Sequence, residues 1–136
     1  MSIEVAEGNA QYSSEDGVLF DKNKTHLIQV PEGKSGQYSI PDSVTSIGHR
    51  AFENCTSLTS LTIPDSVISI VTGAFSNCRS LTSVTIPESV TSIAGEAFTG
   101  TKLTEVTIPN PNCVIADNAF DSSVTITRSF FSTPLT

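Results

Sequence analysis

The sequence predicts a β-rich α/β solenoid whose coils of about 23 residues stack on one another and share one core. Two dipeptides recur in a common register, Ile-Pro at 40–41, 63–64, 86–87 and 108–109, and Ala-Phe at 51–52, 74–75, 97–98 and 119–120. Both advance by 23, 23 and 22 residues. A unit this short cannot bury its own apolar face, so it must stack on its neighbours, which is typical of solenoids.

Each unit contains one clear strand. The segment 58–63 (Leu-Thr-Ser-Leu-Thr-Ile) ends with apolar and hydroxyl side chains in alternation, and Pro64 then ends the strand because it has no backbone N–H. Stacking these strands predicts a parallel sheet of about five strands on the concave face. Val67 and Ile70 indicate a tight turn or a short second strand, and one helical or 3₁₀ turn is expected around residues 74–75.

Aligning the units on Ile-Pro gives six apolar columns that we expect to form a continuous core. Each buried aliphatic or phenylalanine side chain contributes roughly 1.5–3 kcal/mol, so one coil is marginal and several stacked coils are viable. Asn112 interrupts the fourth column, and Cys113 falls out of register and is expected to be more exposed. The columns are Leu58, Leu81 and Leu103; Leu61, Val84 and Val106; Ile40, Ile63, Ile86 and Ile108; Val44, Val67 and Val90; Ile47, Ile70, Ile93 and Ile115; and Phe52, Phe75, Phe98 and Phe120.

The periodic part of the chain does not cover all of it. Residues 38–128 form the repeat array, with 124–126 as its last strand, and residues 129–136 form a C-terminal tail outside the pattern. Residues 1–37 form an atypical N-terminal coil.

Within the N-terminal coil, two apolar runs on either side of residues 21–24 predict a β-hairpin over about 16–30. Residues 3–5 (Ile-Glu-Val) are expected to form a strand of the preceding coil.

The composition excludes several classes of protein. The chain has 136 residues, 7 basic against 14 acidic side chains and a net charge of -7, so no nucleic-acid partner is expected. No apolar run approaches the length of a membrane span, and no secretory signal precedes the repeats in this sequence. Three widely spaced cysteines give neither a disulfide framework nor a Cys-x-x-Cys motif.

Residues 55–67 read Cys-Thr-Ser-Leu-Thr-Ser-Leu-Thr-Ile-Pro-Asp-Ser-Val, and this unit resembles the BspA-type leucine-rich repeat. The segment 16–20 (Asp-Gly-Val-Leu-Phe) is similar to one that the family places between repeats. The resemblance implies a surface or secreted protein of the adhesin kind and no catalytic residues. The chain departs from the pattern at 101–102, where the cysteine is missing, and at 112–113, so looser coils are expected there.

Hydroxyl side chains recur at the outward strand positions and give the candidate ligand-binding surface. A flat hydroxyl surface suits a protein or glycan ligand, and a threonine array also suits ice, but threonine equally serves to solvate an open strand face. The candidate residues are expected to form one row of Ser39, Thr62, Thr85, Thr107 and Thr125, and beside it a second row of Ser60, Ser83 and Glu105.

Other polar residues favour structural roles. Cys55 and Cys78 occupy one repeat position and are interpreted as a ladder of small buried thiols that cap loop backbone, rather than a metal or redox pair. His26 and His49 have no clustered partners and are interpreted as surface residues. The acidic residues that recur after Ile-Pro, at 42, 65 and 88, are interpreted as a solvated edge rather than a weak calcium site or a basic partner's contact. We expect no catalytic site, metal or cofactor.

The open solenoid face predicts a non-enzymatic module for protein binding, and the family resemblance implies cell-surface adhesion with a host matrix or surface protein as the kind of ligand. The alternative is a structural scaffold that self-associates through its coil ends, where Phe130 and Phe131 would cap or join coils. A small-ligand role would need a pocket.

Overall fold

The computed structural model describes residues 3–6 and 8–128. The candidate caps Phe130 and Phe131 and the tail 129–136 lie outside the described residues. The described part contains twelve strands: β1 (Tyr12–Glu15), β2 (Val18–Asp21), β3 (His26–Gln29), β4 (Ser35–Ser39), β5 (Ser46–Ile47), β6 (Ser57–Thr62), β7 (Ser69–Ile70), β8 (Ser83–Thr85), β9 (Ser92–Ile93), β10 (Glu105–Ile108), β11 (Val114–Ile115) and β12 (Thr125–Arg128).

The longer strands β4, β6, β8, β10 and β12 make up a front sheet of parallel strands, which confirms the predicted solenoid. β6 pairs with β4 and β8, so that Tyr38, Leu61 and Val84 lie level with one another. β10 pairs with β12, with Val106 level with Ile126. Among the described strands no ladder joins β8 to β10. The front sheet is therefore divided into a block of three strands and a block of two.

The two-residue strands form a back sheet. Val67 N donates to Pro64 O across a turn (3.1 Å), and β7 follows directly, so the unit has both the tight turn and the short strand. β7, β9 and β11 pair in parallel, while β5 pairs with β3 of the hairpin and is not joined to β7 by a ladder in the described structure.

The predicted helical turn around residues 74–75 is wrong, because the described residues contain no helix. Alternate amides there donate to the next coil, while Ala74 N and Ser76 N close isolated turns on Val71 O (3.2 Å) and Gly73 O (3.1 Å). Phe75 N donates to Ala97 O and Asn77 N to Thr99 O, both at 2.8 Å. These inter-coil bonds use the donors that would extend a helix, and they tie each coil to its neighbour.

The N-terminal hairpin is confirmed, since β2 and β3 pair antiparallel, and it has an additional strand. β1 pairs antiparallel with β2 through a turn at Asp16-Gly17, where both residues have positive φ (54° and 80°). The strand expected at residues 3–5 is wrong: residues 3–6 form no strand, and Ile3 N donates instead to Gly17 O at 2.8 Å. Gly17 lies in the turn between β1 and β2, so this bond ties Ile3 to that turn and is not part of a sheet.

Asp21 holds the turn between β2 and β3. Its carboxylate accepts hydrogen bonds from Thr25 N (2.8 Å), Thr25 Oγ1 (2.6 Å) and His26 N (3.1 Å). Desolvation raises the pKa of this carboxyl, but the hydrogen bonds from Thr25 and His26 outweigh it and leave the pKa lowered. The turn is therefore fixed best when Asp21 is ionised.

The core is the set of aligned columns, with a phenylalanine stack at its centre. Phe52, Phe75 and Phe98 are fully buried, and Phe120 is 7% exposed. Successive ring centroids are 4.7, 4.9 and 4.9 Å apart, and the interplanar angle falls from 40° to 21° to 5° along the stack. Each ring thus packs on the ring of the next coil.

Cys113 is buried, at 3% exposure, so the expectation that it would be more exposed is wrong. In the preceding coil the turn after Ile-Pro closes with Val90 N donating to Pro87 O (3.3 Å). In the last complete coil the turn begins one residue later, with Cys113 N donating to Asn110 O (3.1 Å) and Asn112 N to the Asn110 side-chain oxygen (2.8 Å). This shift points Asn112 outward and places Cys113 in the position that valine fills elsewhere.

The serine of each Pro-x-Ser-Val turn ties two coils together. Ser66 Oγ donates to Val44 O (2.6 Å) and Ser89 Oγ to Val67 O (2.7 Å), both reaching one coil back. Ser43 Oγ makes the same contact with Lys24 O (2.7 Å) in the hairpin. These serines satisfy carbonyl groups that the turn leaves without backbone donors.

Candidate functional site

The front sheet presents two rows of outward side chains in register. Ser39, Thr62 and Thr85 lie level with one another in one row, and Ser60 lies level with Ser83 in the other. All five are exposed except Ser60, which is half-buried. The structure therefore brings these predicted residues together on one face, at the spacing of neighbouring strands.

The other three predicted residues lie on the second block of the front sheet, with one correction to their alignment. Thr125 was expected level with Thr107, but the ladder places it level with Glu105, and Thr107 is level with Thr127. All four are exposed. Thr127 is thus a member of the surface that the sequence reasoning missed.

A groove of about 600 Å³ separates the two blocks. Elsewhere in the front sheet, the residue that follows each strand also bonds to the next strand: Ile40 N donates to Thr62 O (3.1 Å), and Ile63 N donates to Thr85 O (3.2 Å). The equivalent bond from Ile86 N to Thr107 O is not formed. The backbone groups on the facing edges of β8 and β10 therefore have no ladder partners. The groove is lined by Thr82, Ser83, Val84, Thr85, Ile86, Glu105, Val106, Thr107, Pro109 and Thr127.

Both ends of the groove are closed. Lys102 N donates to Leu81 O (3.0 Å) before the strands, and the Asn110 side chain donates to Glu88 O (3.1 Å) after them. Between these contacts Val84 is only half-buried, whereas Val106 in the same column is 3% exposed. The separation of β8 from β10 is thus confined to the strands themselves, and it exposes part of the core at Val84.

The separation of β8 from β10 coincides with the one 22-residue step in the repeat, which confirms the looser coil expected around residues 101–102. The loop that leads into β10 is one residue shorter than its counterpart and has Thr101 where other coils have a cysteine. Gly100 N donates to the Asp121 side chain (3.0 Å), and Lys102 N donates to Leu81 O of the previous coil (3.0 Å). A shorter loop held at both places leads β10 away from β8.

Among the residues that the structure describes, Glu105 is the one ionisable side chain that lines the groove. The other described lining residues offer hydroxyls, backbone groups and small apolar surfaces. This described lining is therefore polar, with a single formal negative charge and no aromatic ring to anchor a ligand by stacking.

The cysteine ladder is structural, as expected. Cys55 and Cys78 are fully buried, and Cys78 Sγ donates to Phe52 O in the previous coil at 3.1 Å. Contact with the Cys55 thiol and burial raise the pKa of Cys78 well above its usual value. Burial also raises the pKa of Cys113, with a smaller opposing effect from Arg128. Cys78 and Cys113 are thus held in the neutral form and away from solvent.

One side-chain pair was missed by the sequence reasoning. His26 Nδ1 and Ser46 Oγ lie 2.6 Å apart and link the hairpin to the first coil, across the pairing of β3 with β5. The Asp21 carboxylate reaches the backbone N–H of His26 rather than its ring, so the three residues do not form a relay. His49 is exposed.

The acidic residues after Ile-Pro lie on the surface. Asp42, Asp65 and Glu88 are exposed. In the part of the chain that the structure covers, no group of three or more His, Cys, Asp or Glu side chains is placed to hold a metal ion. The described residues also contain no helix long and apolar enough to cross a membrane.

Stacked 23-residue coils, a parallel front sheet and an open polar face define a leucine-rich-repeat solenoid, a class that typically serves as a non-enzymatic binding scaffold. The chain belongs to the BspA-type leucine-rich repeat family, whose model matches residues 34–136 in six copies. No curated protein matches the chain.

The solved structures that resemble the chain are bacterial. A leucine-rich cell surface protein from Faecalibacterium prausnitzii is 27% identical with a TM-score of 0.76, and the match covers 88% of this chain and 40% of that one. A leucine-rich repeat protein from Bacteroides capillosus is 28% identical with a TM-score of 0.73, covering 88% of this chain and 99% of that one. The pneumococcal vaccine antigen PcpA, at 22% identity and a TM-score of 0.75, shares the fold and covers 95% of this chain. The chain spans 40% of the length of PcpA and of the Faecalibacterium protein.

Proposed function

We propose that this chain is a protein-binding module of a bacterial cell-surface or secreted protein, and that it binds its ligand on the front sheet. The observation that carries the proposal is the set of exposed hydroxyl side chains that lie level with one another within each block, Thr62 with Thr85 on one and Thr107 with Thr127 on the other. A parallel sheet holds such rows rigidly, so binding loses little conformational entropy in the receptor.

The wider context supports the same proposal. One resembling structure is described as a cell surface protein, and the resemblance extends over most of the present chain. We further propose that residues 38–128 are the binding array and residues 1–37 its N-terminal coil. Adhesion to a host matrix or surface protein is the specific role that we propose for this array.

The proposal is tested with the double variant Thr85→Arg/Thr107→Arg. Both side chains are exposed, so the melting temperature should stay within about 2 °C of the parent, because surface substitutions change stability little. Two long charged side chains on a flat face should abolish binding to a panel of immobilised purified extracellular-matrix proteins, measured by biolayer interferometry.

The matched control is Thr45→Arg/Thr72→Arg, which adds the same charge at exposed positions beside the back sheet. This control should bind as the parent does. Unchanged binding in Thr85→Arg/Thr107→Arg would move the ligand site away from the front sheet, and loss in both variants would attribute the effect to net charge alone.

A further inference from the structure

The groove between β8 and β10 differs from the rest of the front sheet because its walls are unpaired strand edges. Ile86 N and Thr107 O, which would bond to each other in an unbroken sheet, form no such bond among the described residues, and both residues line the groove. Backbone polar groups near a protein core are rarely left without a partner. The groove therefore offers hydrogen-bonding positions to a ligand that the paired strands on either side do not offer.

The chemistry of the lining favours a cation. Glu105 supplies a carboxylate, strand carbonyls supply neutral acceptors, and no Lys or Arg side chain is part of the lining between residues 8 and 128 to balance Glu105. Arg128, on the neighbouring β12, donates its guanidinium to Cys113 O at 2.8 Å and is thereby held at the end of the last coil. The net charge of -7 attracts basic partners from solution.

We propose that this groove receives an arginine side chain presented by an extended segment of a protein partner. The guanidinium would pair with Glu105 and donate to the unpaired carbonyl edge at Thr107. This inference rests on the proposed function, since it names the partner chemistry of the same front sheet.

Arginine fits the groove better than the other candidates. Its guanidinium is flat and carries five N–H donors in a fixed fork, so it can enter between two splayed strands and bond to a carboxylate and a carbonyl together. The ammonium of lysine is a compact, strongly hydrated charge without this planar fork. A sugar ligand would be expected to find an aromatic platform, and the described lining residues contain none. The volume of about 600 Å³ lies within the range of small-ligand pockets.

The test titrates the ¹⁵N-labelled full chain with a short acetylated and amidated peptide that contains one arginine among serine and threonine. The matched probe is the same peptide with citrulline, which has the shape of arginine but no charge. At about 0.15 M salt we expect the arginine peptide to shift the amide signals of Ile86 and Thr107, and the citrulline peptide to shift them little. Glu105→Gln should weaken the apparent affinity at least about fivefold, because a charge-assisted bond is replaced by a neutral one.

The control variant is Glu32→Gln, which removes an equally exposed charge near the hairpin and should bind the peptide as the parent does. Equal shifts with citrulline, no shifts at Ile86 and Thr107, or equal weakening by Glu32→Gln would each overturn the inference.

The two proposals fail in different ways. If Thr85→Arg/Thr107→Arg loses matrix binding while the arginine peptide leaves the groove signals unmoved, the arginine inference is wrong and the front sheet remains the binding face. If that double variant still binds matrix protein, the front-sheet proposal is wrong, and a role for the groove in partner binding is wrong with it.

Discussion

The phenylalanine stack makes a quantitative prediction about stability. Phe75 is fully buried, with ring centroids 4.7 Å from Phe52 and 4.9 Å from Phe98. Replacing it with alanine removes the buried ring and leaves a cavity between two coils, and such changes cost about 3–5 kcal/mol. A domain of this size is stable by about 5–15 kcal/mol, so Phe75→Ala should lose a large part of the free energy of unfolding.

Phe120 provides an internal comparison at the end of the described stack. It has the same ring but is 7% exposed, and among the described rings only Phe98 stacks on it, at 4.9 Å. An aromatic pair contributes about 0.5–1.5 kcal/mol beyond burial, so Phe120→Ala should cost about 1 kcal/mol less than Phe75→Ala. Ile68→Ala, at a residue 58% exposed, should cost under about 0.5 kcal/mol.

The assay is urea unfolding followed by far-ultraviolet circular dichroism, with the free energy of unfolding compared across the three variants. Equal losses for Phe75→Ala and Phe120→Ala would refute the reasoning that stacking between coils, rather than burial alone, sets the cost. A loss for Ile68→Ala as large as that for Phe75→Ala would refute the assignment of the core itself.

Two further predictions concern close packing and pH. Gly100 and Gly36 have nearly equal positive φ (76° and 74°), but a Cβ on Gly100 would clash with Asn77 Oδ1 and lie 3.2 Å from Asn77 Cα, whereas Gly36 faces open space. Gly100→Ala should therefore lower stability by at least about 1 kcal/mol more than Gly36→Ala in thermal melts, and equal losses would show that backbone strain alone matters. Because contact with Cys55 and burial raise the pKa of Cys78, the unfolded chain releases this proton first; stability should be level up to about pH 8.5 and fall above it. This is tested by comparing the urea midpoints of unfolding at pH 7 and pH 9.5. The Cys78→Ala variant should show a smaller fall in the midpoint between these pH values. A fall as large as that of the parent would contradict the assignment to Cys78.

Fixed offsets between repeats were enough to predict the stacked coils, the core columns and the face that carries Thr62 and Thr85. They work because each coil contacts mainly its neighbours, so one register describes every interface. The strand β1 was missed although the Asp16-Gly17 dipeptide is a strong hairpin signal; reading the hairpin as beginning there left residues 12–15 without a partner.

The burial of Cys113 could not be read from offsets. The segment from Ile108 to Phe120 is as long as that from Ile86 to Phe98, so the offsets predict no change in the turn. The shift of that turn comes with the hydrogen bonds that Asn110 accepts from Asn112 and Cys113. The groove, in contrast, lies where the shortened loop leads into β10.

The groove exists because the interface between two coils keeps its register in some places and loses it in another. Behind the groove, Ile93 remains level with Ile115 in the back sheet, and Phe98 pairs with Phe120 in the core. At the front, the same two coils form no ladder between β8 and β10. The back sheet and the ring stack hold the coils together, so the front strands can separate without breaking the solenoid. A repeat protein can in this way place a distinctive surface at a departure from its repeat, while the regular coils on either side supply the stability.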